Sequence, residues 1–293
     1  MDRTFVARIL LPALAVLLAG CVASRPTGPD PPVDAGISVV TFNLFHDKAD
    51  WPRRRERIVD ELRTLRPDAI LLQEVLQHET LRNQAEDLGD ALGYATYFVS
   101  ADPPERVRRY GNAILVRHRV LARDQALLRP LDDYRVAAHV RIAVDGHEVD
   151  LYATHLSNGE GNAGAGSRRE QVGDLLAFVA RSAGGGAAII GGDFNTSADQ
   201  PELAAIAGAF DNAWDRLHAG EDASTTTRTT LNPHWFPDDA RRIDHVYLRR
   251  GALAPLEARS VLDRADAEGT WPSDHFGVYV RAAFATGGGE RLP

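Results

Sequence analysis

Apolar and polar residues along this chain alternate with two different periods, and the switches between them outline an α/β domain. Residues 37–42 form a short β-branched run that reads as a buried strand. Ile58, Val59, Leu62 and Leu65 follow at helical spacing, with Pro52 near the start, and predict a helix over 52–65. A second buried strand is predicted over 68–72 and a second amphipathic helix over 77–92. Strands are predicted over 94–99, 112–117, 134–144 and 148–155, the last two joined by Asp145-Gly146, a strong hairpin signal. After a Gly/Asn loop over 157–166, Ser167 and Glu170 form a capping box that predicts a helix to about Arg181. Further strands are predicted over 187–191, 242–248, 256–261 and 276–284. Helix-strand alternation interleaved with antiparallel hairpins predicts two mixed sheets packed face to face with helices outside. With no repeat and no internal boundary, one domain over 37–286 is expected.

The first residues follow another rule. Arg3 and Arg8 give a short positive region, and residues 9–20 are apolar apart from Pro12. That stretch is shorter than the ~20 residues that span a bilayer, and it has the size of a signal-peptide core. It ends in Leu18-Ala19-Gly20-Cys21, which resembles a bacterial lipoprotein processing site, and Cys21 is the only cysteine. A cysteine without a partner is a poor disulfide residue and a good lipid attachment point. Residues 1–20 therefore read as a signal peptide, and 21–36, rich in Pro, Gly and Asp, as the lipidated cysteine and a flexible tether. The expectation is an exported lipoprotein held on a membrane, on the periplasmic or cell-surface side.

Charge narrows the partners. Without Asp2, Arg3 and Arg8 the mature chain has 31 basic and 40 acidic residues, a net charge of −9. A high-affinity polyanion binder usually carries a basic footprint instead. Positive charge does gather locally at Arg106, Arg108 and Arg109, either to meet a phosphate-rich ligand or as a solvated loop. Arg168 and Arg169 open a predicted helix where the dipole prefers acids, which points to phosphate. His234, Trp235 and Phe236 form an aromatic tip able to touch lipid, stack a base or cover a cleft.

Candidate chemistry lies where the apolar runs end. Asn43 ends the first strand and Glu74 follows the second, in Leu71-Leu72-Gln73-Glu74. His155 ends a hairpin strand, with Asn158 just beyond; Asp193 and Asn195 end the next, in Gly191-Gly192-Asp193-Phe194-Asn195. Asp244 lies in Arg242-Ile243-Asp244-His245, and Asp274 and His275 in Ser273-Asp274-His275 before the last strand. Singly, an Asp or Asn after a strand is a turn former, and a lone His a structural hydrogen bonder. Six such blocks build one polar cleft if the strand ends share a side.

These blocks, above all Gly-Asp-Phe-Asn and Ser-Asp-His with Gln-Glu upstream, resemble the signatures of the endonuclease/exonuclease/phosphatase superfamily, over about 37–284. The resemblance implies a four-layer α/β/β/α sandwich and a metal-dependent hydrolase of phosphoric esters. It implies Glu74 as principal Mg²⁺ ligand, Asn43 close to the metal and Asp274 at a second metal position, with Mn²⁺ suited to the same hard oxygen donors. It implies that Asp193 and Asn195 position the attacking water and a phosphate oxygen, that His155 stabilises or protonates the leaving oxygen, and that Asn158 touches phosphate. His275 is implied as general base or phosphate contact, oriented by Asp244; whether Asp193 or His275 takes the water proton stays open. The chain departs from some family nucleases at Phe45, where they carry an acid two positions after the first-strand Asn. Its Thr154-His155-Leu156 block is similar to sphingomyelinases, deadenylases and 5-phosphatases more than to apurinic endonucleases. The substrate implied is a phosphodiester, in nucleic acid or a phospholipid headgroup, or a phosphomonoester; a monomer is expected. The rival reading is a non-catalytic ligand-binding module on the same fold, although every expected catalytic position is filled.

Overall fold

The alternation of side chains along the strands decides the layering. In β1 (Gly36–Asn43) Ile37 and Val39 face one side while Val40 and Phe42 face the other, and both sides are buried. β2 (Ala69–Gln77) repeats this, with Ala69 and Leu71 opposite Ile70 and Leu72. A strand with two apolar faces needs a layer on each. This computed structural model describes residues 35–219 and 229–285; the expected signal peptide and most of the tether, Cys21 included, lie outside the described residues.

The remaining strands are β3 (Ala95–Ser100), β4 (Arg109–Val116), β5 (Arg119–Leu128), β6 (Arg135–Val144), β7 (His147–His155), β8 (Ala187–Asp193), β9 (Phe210–Asn212), β10 (Asp244–Arg249), β11 (Leu253–Val261) and β12 (Gly277–Phe284). They form two six-stranded mixed sheets, ordered β11-β12-β1-β2-β4-β3 and β5-β6-β7-β8-β10-β9. The apolar layer between the sheets takes Val39, Leu71 and Ile114 from the first and Val140, Leu151 and Ile189 from the second. Outside the first sheet, Ile58 and Leu62 of α1 (Trp51–Leu65) and Leu88 of α2 (Gln84–Leu92) cover Val40, Phe42 and Leu72. Outside the second, Val172, Leu175 and Phe178 of α3 (Gly161–Ser182) cover Tyr152 and Ile190. The result is the four-layer α/β/β/α sandwich. A short helix, α4 (Ala213–Leu217), follows β9.

Several elements differ from the sequence expectation. The second helix starts seven residues late, at Gln84: His78 and Leu81 exchange backbone hydrogen bonds of 3.0 Å, and the Asn83 side chain caps the helix by accepting from Ala85 and Glu86 N–H. α3 starts at Gly161, six residues before Ser167, so the capping box is not its N-terminus. Arg168, buried two turns inside it, donates to the carbonyls of Ser157 and Gly159 and pairs with Glu202 at 2.9 Å, which ties the preceding loop to the helix. Strand β5 carries Arg123, Asp124 and Gln125 on an exposed edge and shows no apolar alternation. Asp145-Gly146 forms the hairpin turn as expected, with φ of 49° and 82°.

Candidate active site

The cleft is the continuation of the inter-sheet layer beyond its last apolar residue. Alternation puts Asn43 on the same face as Ile37 and Val39, and His155 on the same face as Val149, Leu151 and Ala153. By the same rule Asp193 follows Ala187 and Ile189, and Asp244 precedes Val246 and Leu248. His245, of opposite parity, turns away and meets the carbonyl of Thr196 at 3.0 Å. Asp193 is central, paired in register with His155 on β7 and Asp244 on β10. Gly191 lets the two sheets close just beneath: a Cβ there would lie 2.5 Å from Leu71 Cδ1.

Glu74 arrives by a different route. Regular alternation would bury it in the helix layer with Ile70 and Leu72, but the β2–β4 ladder slips between Leu72 and Val75 and Glu74 has φ 57°. A bulge of this kind re-aims a side chain. The redirected carboxylate lies 3.6 Å from His46 Nε2 and beside the Tyr110 hydroxyl.

Polar contacts converge on Asp193. Its Oδ2 accepts from Asn43 Nδ2 at 3.0 Å and lies 3.4 Å from His155 Nε2 and 3.9 Å from His275 Nε2; its Oδ1 accepts from the Asn195 backbone N–H at 2.9 Å. Asn195 is held at φ 54° by donating Nδ2–H to the Leu156 carbonyl at 3.0 Å. Asp244 Oδ2 is 2.8 Å from His275 Nδ1, and Thr230 Oγ1 accepts from the backbone N–H of Asp244 at 3.1 Å. Ser273 ties the end of β1 to the segment before β12, donating to the Asn43 carbonyl at 2.7 Å and accepting from the His275 N–H at 3.1 Å.

The electrostatics separate the roles. Burial, and then the charge of its register partner Asp244, push the Asp193 carboxyl up to about 7. Burial alone would lower the His275 imidazole, but the Asp244 charge and hydrogen bond outweigh it and hold the ring cationic to about pH 10. His155 is driven well below the usual imidazole value by burial, and by the positive charges of Arg135 and His275. Burial and the neighbouring Glu74 charge raise Asp274.

Two groups have the chemistry to hold a cation. Atoms of Asp193, Asp244 and His275 lie within 4.8 Å of one another. That group already contains a positive charge, the imidazolium paired with Asp244. The Glu74 charge acts on Asp274, and with the Asn43 carboxamide these carboxylates are hard oxygen donors of the kind that suits Mg²⁺ or Mn²⁺. By chemistry alone, Asn43, Glu74 and Asp274 are the residues that suit a divalent ion.

Of the sequence candidates, Asn43, His155, Asp193, Asn195, Asp244 and His275 share this network, and Glu74 and Asp274 sit together beside it. Asn158 stays at the exposed rim, accepting from Arg135 Nη2 at 3.3 Å. Arg168 is not free for phosphate, since it is paired with Glu202. The sequence reading missed His46, Tyr110, Arg135 and Arg54. Arg54 is fully buried and donates to the carbonyls of Leu44, Phe45, His46, Lys48 and Pro272. Phe45, standing where some relatives carry an acid, packs 5.6 Å from the ring of Trp235 in the aromatic tip.

Comparison with known proteins identifies the family and the fold. The Endonuclease/Exonuclease/phosphatase family matches residues 40–275. Over 170 residues, 54% of the chain, the sequence is 31% identical to Nocturnin of Drosophila melanogaster, in a stretch that spans 26% of that relative. An endonuclease/exonuclease/phosphatase from Beutenbergia cavernae DSM 12333 shares the fold with a TM-score of 0.69 and 22% identity, over 86% of this chain and 72% of that one. The human Nocturnin catalytic domain with bound sulfate anion does so at 0.68 and 21%, over 88% and 100%. TDP2 of D. rerio complexed with single strand DNA product gives 0.69 and 18%, over 85% and 99%. The chain belongs to the endonuclease/exonuclease/phosphatase family of phosphoric ester hydrolases.

Proposed function

We propose that the protein is a Mg²⁺- or Mn²⁺-dependent phosphodiesterase acting on nucleic acid or a phospholipid headgroup. The observation that carries this is the convergence of Asn43, His155 and His275 on one oxygen of a buried Asp193. A carboxylate raised toward neutrality is a stronger base than an ordinary aspartate and is still largely ionised at mildly alkaline pH. Asp193 takes the proton of the attacking water, which the Asn195 backbone and Asn43 amide hold it in place to do. His275, kept cationic by Asp244, cannot accept that proton; it offers charge and an N–H to a phosphate oxygen. His155 is neutral and has one N–H to present to the scissile phosphate or leaving oxygen. Asn195 Nδ2 and Asn158 complete the polar wall. Glu74, Asp274 and Asn43 would hold the divalent ion, which when bound neutralises phosphate oxygens and stabilises the charge that develops in in-line displacement. The anionic ligands named for two of the related structures, sulfate and a single strand DNA product, support the same reading.

The proposal extends to location. The Leu18-Ala19-Gly20-Cys21 sequence supports an exported lipoprotein, lipidated at Cys21, tethered through residue 36, with the domain acting as a monomer at a membrane surface. The test is turnover of a chromogenic phosphodiester with Mg²⁺ or Mn²⁺ present and with chelator. Glu74→Gln is expected to keep the fold and lose most metal-dependent turnover. Full activity in excess chelator would overturn the reading.

A further inference from the structure

The polar cleft does not end at Tyr110. Its hydroxyl lies beside Glu74, and its other surroundings include a cavity of 540 Å³ lined also by Tyr134, Val107, Arg106, Arg108 and Glu79. That volume falls within the range of small-ligand sites, ~300–1,000 Å³. Tyr134 is 66% exposed and Val107 54%, unusual for large apolar side chains in this molecule. Tyr134 also has φ 55°, a left-handed conformation that is strained for a non-glycine residue. It is held there by the turn that starts at Pro130, with Tyr134 N–H donating to Leu131 O at 3.2 Å. The next residue, Arg135, reaches the rim of the catalytic cleft at Asn158. The opposite loop is braced as well: Gln77 Nε2 donates to the Val107 carbonyl at 3.3 Å.

Charge identifies the ligand class. Arg109 stacks on Phe98, 5.0 Å from its centroid, while Arg117 pairs with Asp68 and Arg135 lies 3.7 Å from Asp133. Arg106 and Arg108 are exposed, and neither guanidinium has a carboxylate within 4.0 Å among the described residues. The nearby Asp102 carboxylate is turned into its own loop, accepting from Tyr110 N–H at 3.0 Å and from Ser100 Oγ at 3.2 Å. A phosphocholine-type headgroup has no second phosphate to satisfy two unpaired guanidiniums. A nucleic acid strand has one, together with a flat base to cover an exposed tyrosine. We infer that this cavity is a nucleotide subsite: Tyr134 stacks a base, and Arg106 and Arg108 take the phosphate next to the scissile one in a single-stranded nucleic acid. The inference rests on the phosphodiesterase reading and narrows its substrate class.

The test uses the full mature chain in detergent. Binding of labelled oligothymidylate is followed by fluorescence anisotropy in chelator, and hydrolysis with Mg²⁺ is followed on the oligonucleotide and on methyl p-nitrophenyl phosphate, which is too small to reach the cavity. Base stacking on an aromatic side chain is worth ~1–3 kcal/mol, so Tyr134→Ala is expected to raise the oligothymidylate Kd and KM by about 5- to 150-fold, while Tyr134→Phe restores them. Arg106→Gln with Arg108→Gln should weaken binding and flatten its salt dependence by about 0.7 in log–log slope per phosphate lost. Glu79→Gln, which removes a like charge, should tighten binding. Hydrolysis of the small diester should stay within about twofold in all of them. Unchanged oligothymidylate Kd in both the tyrosine and arginine variants would overturn the subsite. So would loss of activity on sphingomyelin vesicles, and not on the oligonucleotide, in Tyr134→Ala. If wild-type protein hydrolyses the small diester but neither binds nor cleaves oligothymidylate, the subsite fails and the phosphodiesterase reading stands; if it hydrolyses neither ester, that reading fails while the binding arm still decides the subsite.

Discussion

Removing the buried Arg54 guanidinium should damage the site more than its distance from the chemistry suggests. The same Nη1 donates to Leu44 O at 2.7 Å, just beyond Asn43, and to Pro272 O at 2.8 Å, just before Ser273-Asp274-His275. Both bonds are buried, whereas the carbonyls of Phe45, His46 and Lys48 lie where water can replace the lost donor. Hydrogen bonds to a charged group are worth ~1.5–3 kcal/mol each, so losing the two buried ones in Arg54→Met should cost about 3–6 kcal/mol. At ~2–4 °C per kcal/mol for a domain of this size, the melting temperature should fall by at least about 6 °C. Displacements on the order of 1 Å in a catalytic group can cost ~10²-fold in rate, and this is the loss expected in kcat well below the melting transition. Burial lowers the Arg54 pKa to about 10, and the charge faces Asp274, Asp47, Asp50 and Glu74. Its removal should therefore reduce the Mg²⁺ concentration needed for half-activation even as kcat drops. Thermal melts and metal titrations on the same preparation provide the assay. A variant that melts earlier but keeps wild-type kcat would show that the clamp is only structural, and one that keeps both would refute the reasoning.

Three further outcomes follow from the same site. Asp244→Asn should move the falling, high-pH limb of the rate profile toward neutrality, because His275 loses the charge that keeps it protonated to about pH 10, with a rate loss of ~10²–10³ at the old optimum; a shift of the rising limb instead would make His275 the base. Asp193→Asn should abolish turnover yet raise metal-free stability at pH 8. The folded-state pKa of Asp193 is raised, so its ionisation destabilises the native state as pH climbs from about 4 to about 7, and the amide escapes that penalty; a melting temperature lower than wild type at pH 8 would contradict this. Cys21→Ser should leave the domain folded and abolish partitioning into detergent, and unchanged partitioning would refute the lipid anchor.

Much of the site was legible because strand parity is legible. Asn43, His155, Asp193 and Asp244 each share the strand parity of an apolar face, Asn43 and Asp193 with Thr41 and Gly191 between, so their convergence could be read from spacing once two sheets were expected. Glu74 could be listed but not aimed, since its direction depends on a bulge that no local residue type announces. The directions of His46 and Phe45 were out of reach for a related reason: both have positive φ, at 30° and 55°, in a loop shaped by a guanidinium from the following helix. Arg168 was misread because helix-dipole logic is local, while its partner Glu202 lies 34 residues away in sequence. Edge strand β5 offered no periodicity because only part of one face meets the core.

The parity that aims four side chains of the candidate site also makes it intolerant of one kind of change and forgiving of another. Deleting or inserting a single residue within β1, β7, β8 or β10 would rotate the following strand end by half a pleat, swapping a carboxylate or imidazole for its apolar neighbour and driving the charge into the helix layer. A two-residue deletion restores the facing while shortening the reach by about 7 Å, and a two-residue insertion lengthens it by as much. Length variation in this architecture is thereby steered out of the strands and into the connecting loops at the mouth of the sandwich, such as the one between β3 and β4. Substrate choice can diverge there while the reacting groups remain fixed in register.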